Sequence, residues 1–327
     1  MKKVLTMTLN PCIDRTLYFD TFQAGATNIV KKTMEEVAGK GINVAVGLRH
    51  LGIPVKAMGF AYKEDKDKLY GKLEQEQIPY SFVEVDGRLR INQKLFDESK
   101  SKMTECNEKG MPVTEEDVEQ LLELLKNELP EASVLVLSGS VPPGVDKDIY
   151  ARMITMANQA AVKVILDANG ELLLEGVKVK PYLIKPNKEE FARTFLTKED
   201  MGVRDIEVCD TEGIILLVCE KLLLDGLAYI CLSLGEEGAM LIRKDKKSDS
   251  EVSKDDAVLS SNIDIIIDKR PAIQTSVRSL QGAGDAMVAG ICKAIYEERE
   301  YKMLEYALAM AASTIALEGT QMGSVEC

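Results

Sequence analysis

Histidine is almost missing from this chain. There is one, His50, in 327 residues, and no tryptophan at all. A single imidazole excludes a multi-histidine metal centre, and it leaves room for a Ser-His-Asp triad only if His50 is well placed. Positive charge is also in deficit: 41 Lys and Arg face 53 Asp and Glu, a formal net charge of −12. Bulk electrostatic attraction to nucleic acid or to an anionic membrane is therefore not expected, and an anionic ligand must be met by a local cationic pocket. No CxxC pair occurs among Cys12, Cys106, Cys209, Cys219, Cys231, Cys292 and Cys327. Their odd number and wide spacing disfavour a disulfide framework or a zinc knuckle, and reduced thiols in a cytoplasmic protein are the expectation. No run of about 18 apolar residues exists, so no membrane span is expected. The segment before Asn10-Pro11 lacks the apolar core of a signal peptide.

What is present is ordinary globular composition, 46% hydrophobic and 29% charged, on a length that suits one large α/β domain with an appended lobe, or two domains. Strand-like and helix-like segments alternate. Val4–Leu9, Val55–Phe60, Val134–Leu137, Val162–Leu166, Tyr182–Ile184, Tyr229–Leu232 and Ala239–Ile242 read as short apolar strands. Ile42–Leu51, Lys66–Gln77, Glu115–Leu129, Ile149–Ala160, Lys188–Phe195, Ile214–Leu224, Asp285–Tyr296 and Met303–Leu317 carry helical spacing. Thr114 and Asp117 form a near-capping box ahead of Val118, Leu121, Leu122 and Leu125. Alternation of this kind implies an α/β fold with a doubly wound, mostly parallel sheet, helices on both faces, and ligands at the carboxyl ends of the strands. Two stretches break the pattern. Residues 12–36 and 86–107 are strand-like and far apart in sequence, and are expected to pair as a small separate sheet, a lid. Residues 244–262 are charged and serine-rich and read as an exposed insertion.

Several motifs carry chemistry. Gly282-Ala283-Gly284-Asp285 opens an apolar helix. Small residues permit a tight turn whose bare N–H groups, with the helix dipole, suit an anion. Asp285 is then either a cap that favours the dipole or a general base beside a phosphoryl group. The dinucleotide fingerprint fails, because Met287 stands where its third glycine belongs. The P-loop pattern fails at Met34. Gly39-Lys40-Gly41-Ile42-Asn43 sets a cation beside a helix start, with Asn43 able to bond hydroxyls. Asp14 follows a strand end and can accept from sugar hydroxyls, or is a surface turn residue. Arg88 and Arg90 would share one face of a strand, holding an anion or protecting an edge. Asn187 and Glu190 either cap a helix or hold water around Mg²⁺. Ser233-Leu234-Gly235 through Gly238 is a glycine loop at a strand end, suited to a nucleotide or a plain turn.

In this order, and nearly end to end, these segments resemble the ribokinase-like (PfkB-type) carbohydrate kinases: Asn10-Pro11 with Asp14, Gly39-Lys40-Gly41-Ile42-Asn43, Arg90-Ile91-Asn92, Ser138-Gly139-Ser140-Val141-Pro142, Lys185-Pro186-Asn187 with Glu190, Ser233-Leu234-Gly235, and Gly282-Ala283-Gly284-Asp285. They are most similar to the branch of the 1-phosphofructokinases and tagatose-6-phosphate kinases. The resemblance implies a single domain over 1–327 with the lid inserted, and transfer of phosphate from ATP, with Mg²⁺, to a phosphorylated ketohexose. Fructose 1-phosphate is the leading acceptor and tagatose 6-phosphate the alternative. It implies Asp285 as base, with Gly282, Ala283 and Gly284 as the anion hole. Asp14, Gly39, Asn43 and Asn107 would hold the sugar, and Lys40 and Arg90 its phosphate. Lys185, Asn187, Ser233, Gly235 and Gly238 would serve the nucleotide, with Glu190 reaching the metal through water. A homodimer through the lid is implied as well. Leu280, Gln281 and Ala286 depart from the family's usual Thr-Val and Ser around the Gly-Ala-Gly-Asp motif, which also admits a weakly active or non-catalytic sugar-phosphate-binding paralogue.

Overall fold

In a computed structural model of the chain, the described residues are 2–196, 211–245 and 265–324. The chain begins in the middle of its main sheet. Strand β1 (Lys3–Thr8) leads into a two-stranded excursion, β2 (Cys12–Phe19) and β3 (Lys32–Ala38), before helix α1 (Lys40–His50) returns to β4 (Val55–Tyr62). Helix α2 (Lys66–Gln75) and β5 (Tyr80–Val85) complete one wing. A second excursion follows, β6 (Arg90–Asp97) and β7 (Lys102–Asn107). Thereafter α3 (Glu115–Glu128), β8 (Ala132–Ser138), α4 (Ile149–Gln159), β9 (Lys163–Asp167), α5 (Gly170–Lys178), β10 (Leu183–Ile184), α6 (Lys188–Phe195), α7 (Thr211–Leu224) and β11 (Tyr229–Ser233) build the other wing. Strands β12 (Ala239–Lys244) and β13 (Ile265–Arg270) finish it, and α8 (Ala283–Tyr296) and α9 (Met303–Ile315) close the chain.

The nine-stranded sheet runs β13-β12-β11-β10-β9-β8-β1-β4-β5, parallel except where β12 meets β11 and β13. Its middle strands carry apolar residues towards both faces because both faces are covered. Leu5 and Met7 of β1 and Leu135 and Leu137 of β8 join the core under α3 and α4. Val4, Val134 and Val136 point the other way, into the core under α1, α8 and α9. The first crossover goes to β4 and the later ones to β8 and beyond, so the strand order reverses between β1 and β8. Such a reversal opens a crevice at the carboxyl ends of the two strands.

The two excursions meet. Strands β2 and β6 pair in parallel from Cys12↔Arg90 to Phe19↔Asp97, and β3 and β7 flank them in the order β3-β2-β6-β7. This is the small separate sheet expected from residues 12–36 and 86–107. The capping box is present with both hydrogen bonds, Asp117 N–H to Thr114 Oγ1 at 3.2 Å and Thr114 N–H to Asp117 Oδ2 at 2.8 Å.

Three local expectations change. Helix α5 and strand β13 were not expected, and Arg88 precedes β6 rather than sharing its face with Arg90. The Arg88 guanidinium instead forks onto the Glu108 carboxylate at 3.0 and 3.4 Å. Of the insertion at 244–262, only Lys244 and Asp245 belong to the described residues.

Candidate active site

The crevice at the sheet reversal holds a cavity of about 380 Å³, lined from both sheets and from the start of α8. Thr8 ends β1 and Ser138 ends β8, so the cavity sits at the switch point. Helix α1 starts hard against β1. A Cβ on Gly41 would overlap the Met7 carbonyl oxygen, so only glycine lets the helix begin there. That placement carries Gly39, Lys40 and Asn43 into the cavity wall.

Helix α8 enters from the opposite side. Its N-cap is Gly282, in a left-handed conformation (φ 75°) that most residues avoid. Glycine offers no side chain to cap the helix, and no side-chain cap hydrogen bond forms. The first N–H groups therefore remain available for an anion. Asp285, in the first turn, is 6% exposed, and its Oδ2 accepts from Asn43 Nδ2 at 2.8 Å. Burial pushes its carboxyl up to about 6; the Asp167 charge adds to this, and Lys40, the Asn43 hydrogen bond and Lys185 oppose it. A carboxyl so placed is ionised near neutrality yet still basic enough to take a proton.

A buried cationic device stands beside it. Asp167, at the end of β9, is 1% exposed and bridges two lysines. Its Oδ2 is 3.1 Å from Lys40 Nζ and its Oδ1 is 3.0 Å from Lys185 Nζ. Burial alone would raise the Asp167 carboxyl, but Lys185 and Lys40 together hold it below its ordinary value. For Lys40, burial works against the charge, and Asp167, Asp285 and Glu190 outweigh it and raise its pKa. The Lys40 side chain is 39% exposed while that of Lys185 is 4% exposed, so Lys40 presents charge to the cavity and Lys185 supports it from below.

The small sheet roofs the other side. Asp14, Arg90 and Asn107 all line the cavity, as do Asn92 and Lys94. Asp14 Oδ1 accepts from Asn92 Nδ2 at 3.0 Å and its Oδ2 from Lys94 Nζ at 2.6 Å, which leaves lone-pair capacity for a hydroxyl. Arg90 spends its Nε–H on Asn10 O (3.1 Å) and its Nη1 hydrogens on Asn92 Oδ1 and Glu108 O (3.2 and 3.1 Å). Among the described residues its Nη2 group makes no such bond, which leaves two donors facing the cavity.

The structure thus brings together Asp14, Gly39, Lys40, Asn43, Arg90, Asn107, Gly282 and Asp285 in one lining. Lys185 lies just behind it, its Nζ 3.5 Å from where a Gly284 Cβ would be. Ala283, Gly284, Asn187, Glu190, Ser233, Gly235 and Gly238 are not in the lining. Asn187 and Glu190 form a full capping box on α6, and Asn187 bridges to Ser233. Gly235 and Gly238 shape the turn from β11 to β12, where a Cβ on Gly238 would overlap Arg270 O. Two residues that sequence reasoning missed are central, Asp167 and Lys94. His50 is outside the lining, its ring against the Met322 and Gly323 carbonyls at 3.1 Å and Glu76 at 3.3 Å. Of the three departures, Leu280 is 72% exposed, Ala286 is fully buried and Gln281 lines the cavity.

A model of the pfkB family carbohydrate kinases matches residues 7–326. The chain belongs to that family. As a pfkB-family kinase it is similar to a 1-phosphofructokinase of Vibrio cholerae, 30% identical over 326 residues, covering 99% of this chain and 93% of the relative. Its fold is that of phosphofructokinase-2 from Escherichia coli in complex with potassium, with TM-score 0.81, 23% identity, and 100% and 96% of the two chains covered. A ribokinase from Thermotoga maritima superposes with TM-score 0.72 at 20% identity, covering 100% and 97%. In this pfkB-family chain the start of α8 and the small sheet face one another across a single cavity. Among the described residues no helix is long and apolar enough to cross a membrane.

Proposed function

We propose that this kinase transfers the γ-phosphoryl group of ATP to the C6 hydroxyl of fructose 1-phosphate, giving fructose 1,6-bisphosphate and ADP. One observation carries the reading. A buried carboxyl at about 6, Asp285, stands at an uncapped helix N-terminus and faces a polar roof of Asp14, Asn92 and Arg90 across one cavity. Its size, about 380 Å³, suits a phosphorylated hexose, and the likeness to the Vibrio cholerae 1-phosphofructokinase supports the choice of acceptor.

Asp14, Gly39, Asn43 and Asn107 orient the sugar, and Arg90 and Lys40 hold the phosphate it already carries. As the C6 oxygen bonds to the γ-phosphorus, the bond to the β-bridging oxygen breaks and its electron pair leaves with ADP. The hydroxyl proton passes to Asp285. The N–H groups of Gly282, Ala283 and Gly284 meet the charge that builds on the transferring group, with Lys185 behind them. Lys185, Asn187, Ser233, Gly235 and Gly238 serve the nucleotide side.

Mg²⁺ fits as an ion delivered with the nucleotide. The described residues hold no cluster of three His, Cys, Asp or Glu that could cage a metal, and Mg²⁺ beside nucleotide phosphates needs only one or two carboxylates and keeps its waters. Glu190 would reach it through water. When bound it supplies charge neutralisation at the phosphates. The small sheet serves as the lid, and its strand β7, exposed along its whole length, is the edge we assign to a second copy in a homodimer. We assign the reaction to the cytoplasm, where ATP and a phosphorylated sugar would both be at hand.

The test is coupled ADP release with fructose 1-phosphate, tagatose 6-phosphate and fructose 6-phosphate. Turnover strongest with fructose 1-phosphate is expected. Preference for tagatose 6-phosphate would reassign the acceptor, and no turnover with any of them would overturn the reading.

A further inference from the structure

One contact crosses the cavity from roof to helix. Lys94, on β6 of the small sheet, is 6% exposed. Its ammonium is 2.6 Å from Asp14 Oδ2 and 2.8 Å from Gln281 Oε1, a residue 187 positions away. Gln281 immediately precedes Gly282, the N-cap of α8. Its own N–H donates to Ser279 Oγ at 3.2 Å, and the N–H groups of Arg278 and Ser279 donate to Ile315 O at the end of α9. The turn from 278 to 282 is thus anchored to the main domain behind and to the small sheet in front. A buried ammonium needs its partners, because an unpaired one costs several kcal/mol, so Lys94 does not swing freely between them.

We infer that Lys94 and Gln281 are positioning residues that link the sugar subsite to the phosphoryl subsite. Resting on the proposed sugar-phosphate and ATP reading, the inference is that filling one subsite tightens the other. A sugar hydroxyl on Asp14 fixes the carboxylate. The carboxylate fixes Lys94, and Lys94 holds the Gln281 amide and with it the turn that presents the α8 N–H groups. By linkage the effect is reciprocal: bound nucleotide raises sugar-phosphate affinity by the same factor. The Glu36 carboxylate, which accepts from Thr320 N–H and Oγ1 at 3.0 and 2.8 Å, makes a second contact between the small sheet and the main domain. Among the described residues its hydrogen bonds go to Thr320 and not to the turn from 278 to 282, so it serves as a control.

Calorimetric titration tests this with a non-hydrolysable ATP analogue and Mg²⁺, with and without fructose 1-phosphate. For the unaltered chain, an affinity gain of about five-fold or more is expected. Gln281→Leu should bring the gain close to one-fold with the separate affinities changed less, and Gln281→Glu, which keeps an acceptor for Lys94, should restore it. Glu36→Gln should leave it in place. If Lys94 only neutralises Asp14, Gln281→Leu leaves the gain unchanged, and that result overturns the inference. So does a gain near one-fold in the unaltered chain. Thermal unfolding of each variant separates misfolding from lost coupling. If neither ligand binds the unaltered chain, the functional reading itself fails and the link fails with it; if both bind and only the coupling is missing, the link alone fails.

Discussion

Replacing Asp285 by asparagine should lower activity and raise stability, and the two effects have one cause. The side chain is buried, and its carboxyl lies at about 6 against an ordinary 3.8. The folded state therefore binds this proton more tightly than the unfolded chain. Its contribution to stability is full at acid pH and is lost as pH rises towards and through about 6. At neutral pH the charged carboxylate costs on the order of 3 kcal/mol. Asparagine keeps the shape and can keep an acceptor for Asn43 Nδ2, but its own amide N–H groups need partners. A net gain of about 1–3 kcal/mol at pH 7.5 is expected in urea denaturation, shrinking to under about 1 kcal/mol near pH 4. Loss of the base should lower kcat by about 10²–10⁴-fold, with little change in KM for the sugar phosphate. In the unaltered enzyme, kcat/KM should fall about ten-fold per pH unit below about 6. A variant that keeps kcat within ten-fold, or that is less stable at pH 7.5 than at pH 4 relative to the parent, refutes this assignment.

Three further outcomes follow from the same geometry. Lys40→Met should raise KM for fructose 1-phosphate by about 10–100-fold, the worth of a charged hydrogen bond, read from initial rates. Asp167→Ala removes the counter-ion of Lys185, whose side chain is 4% exposed, and should destabilise the fold by about 3–5 kcal/mol in chemical denaturation. Because the Asp167 carboxyl is held low, its contribution to stability is present above the ordinary carboxylate range and is lost as pH falls through the depressed folded value. Thr114→Ala breaks the α3 capping box and should cost about 1 kcal/mol without altering kcat.

The sequence showed most of the architecture because local chemistry decided it. Buried parallel strands must be apolar on both faces, and Val134–Leu137 reads that way. The Thr114/Asp117 and Asn187/Glu190 pairs mark helix starts that the structure repeats. The small sheet was legible as two strand-like stretches outside the alternation. Helix α5 was not, since Asn169-Gly170 reads as a turn and the nine residues after it contain Gly176. Strand β13 was not, since its partner β12 lies across a polar stretch that hides the hairpin. On the sugar side of the site, Asp14, Lys40, Asn43 and Arg90 fell into recognisable motifs. Asp167 escaped because it sits one residue beyond an apolar run, where nothing local announces a charge shared by two lysines. Lys94 escaped because its partners are 80 and 187 positions away. Only the pairing of β6 with β2, and the return of α8 to the sheet, place them together.

The most direct test of the account is phosphorus NMR of the enzyme with fructose 1-phosphate, ATP and Mg²⁺. The fructose 1-phosphate resonance should be replaced by the paired resonances of fructose 1,6-bisphosphate, with ADP appearing in equal amount. ADP and inorganic phosphate with the sugar phosphate untouched, or no change in the spectrum, would contradict it.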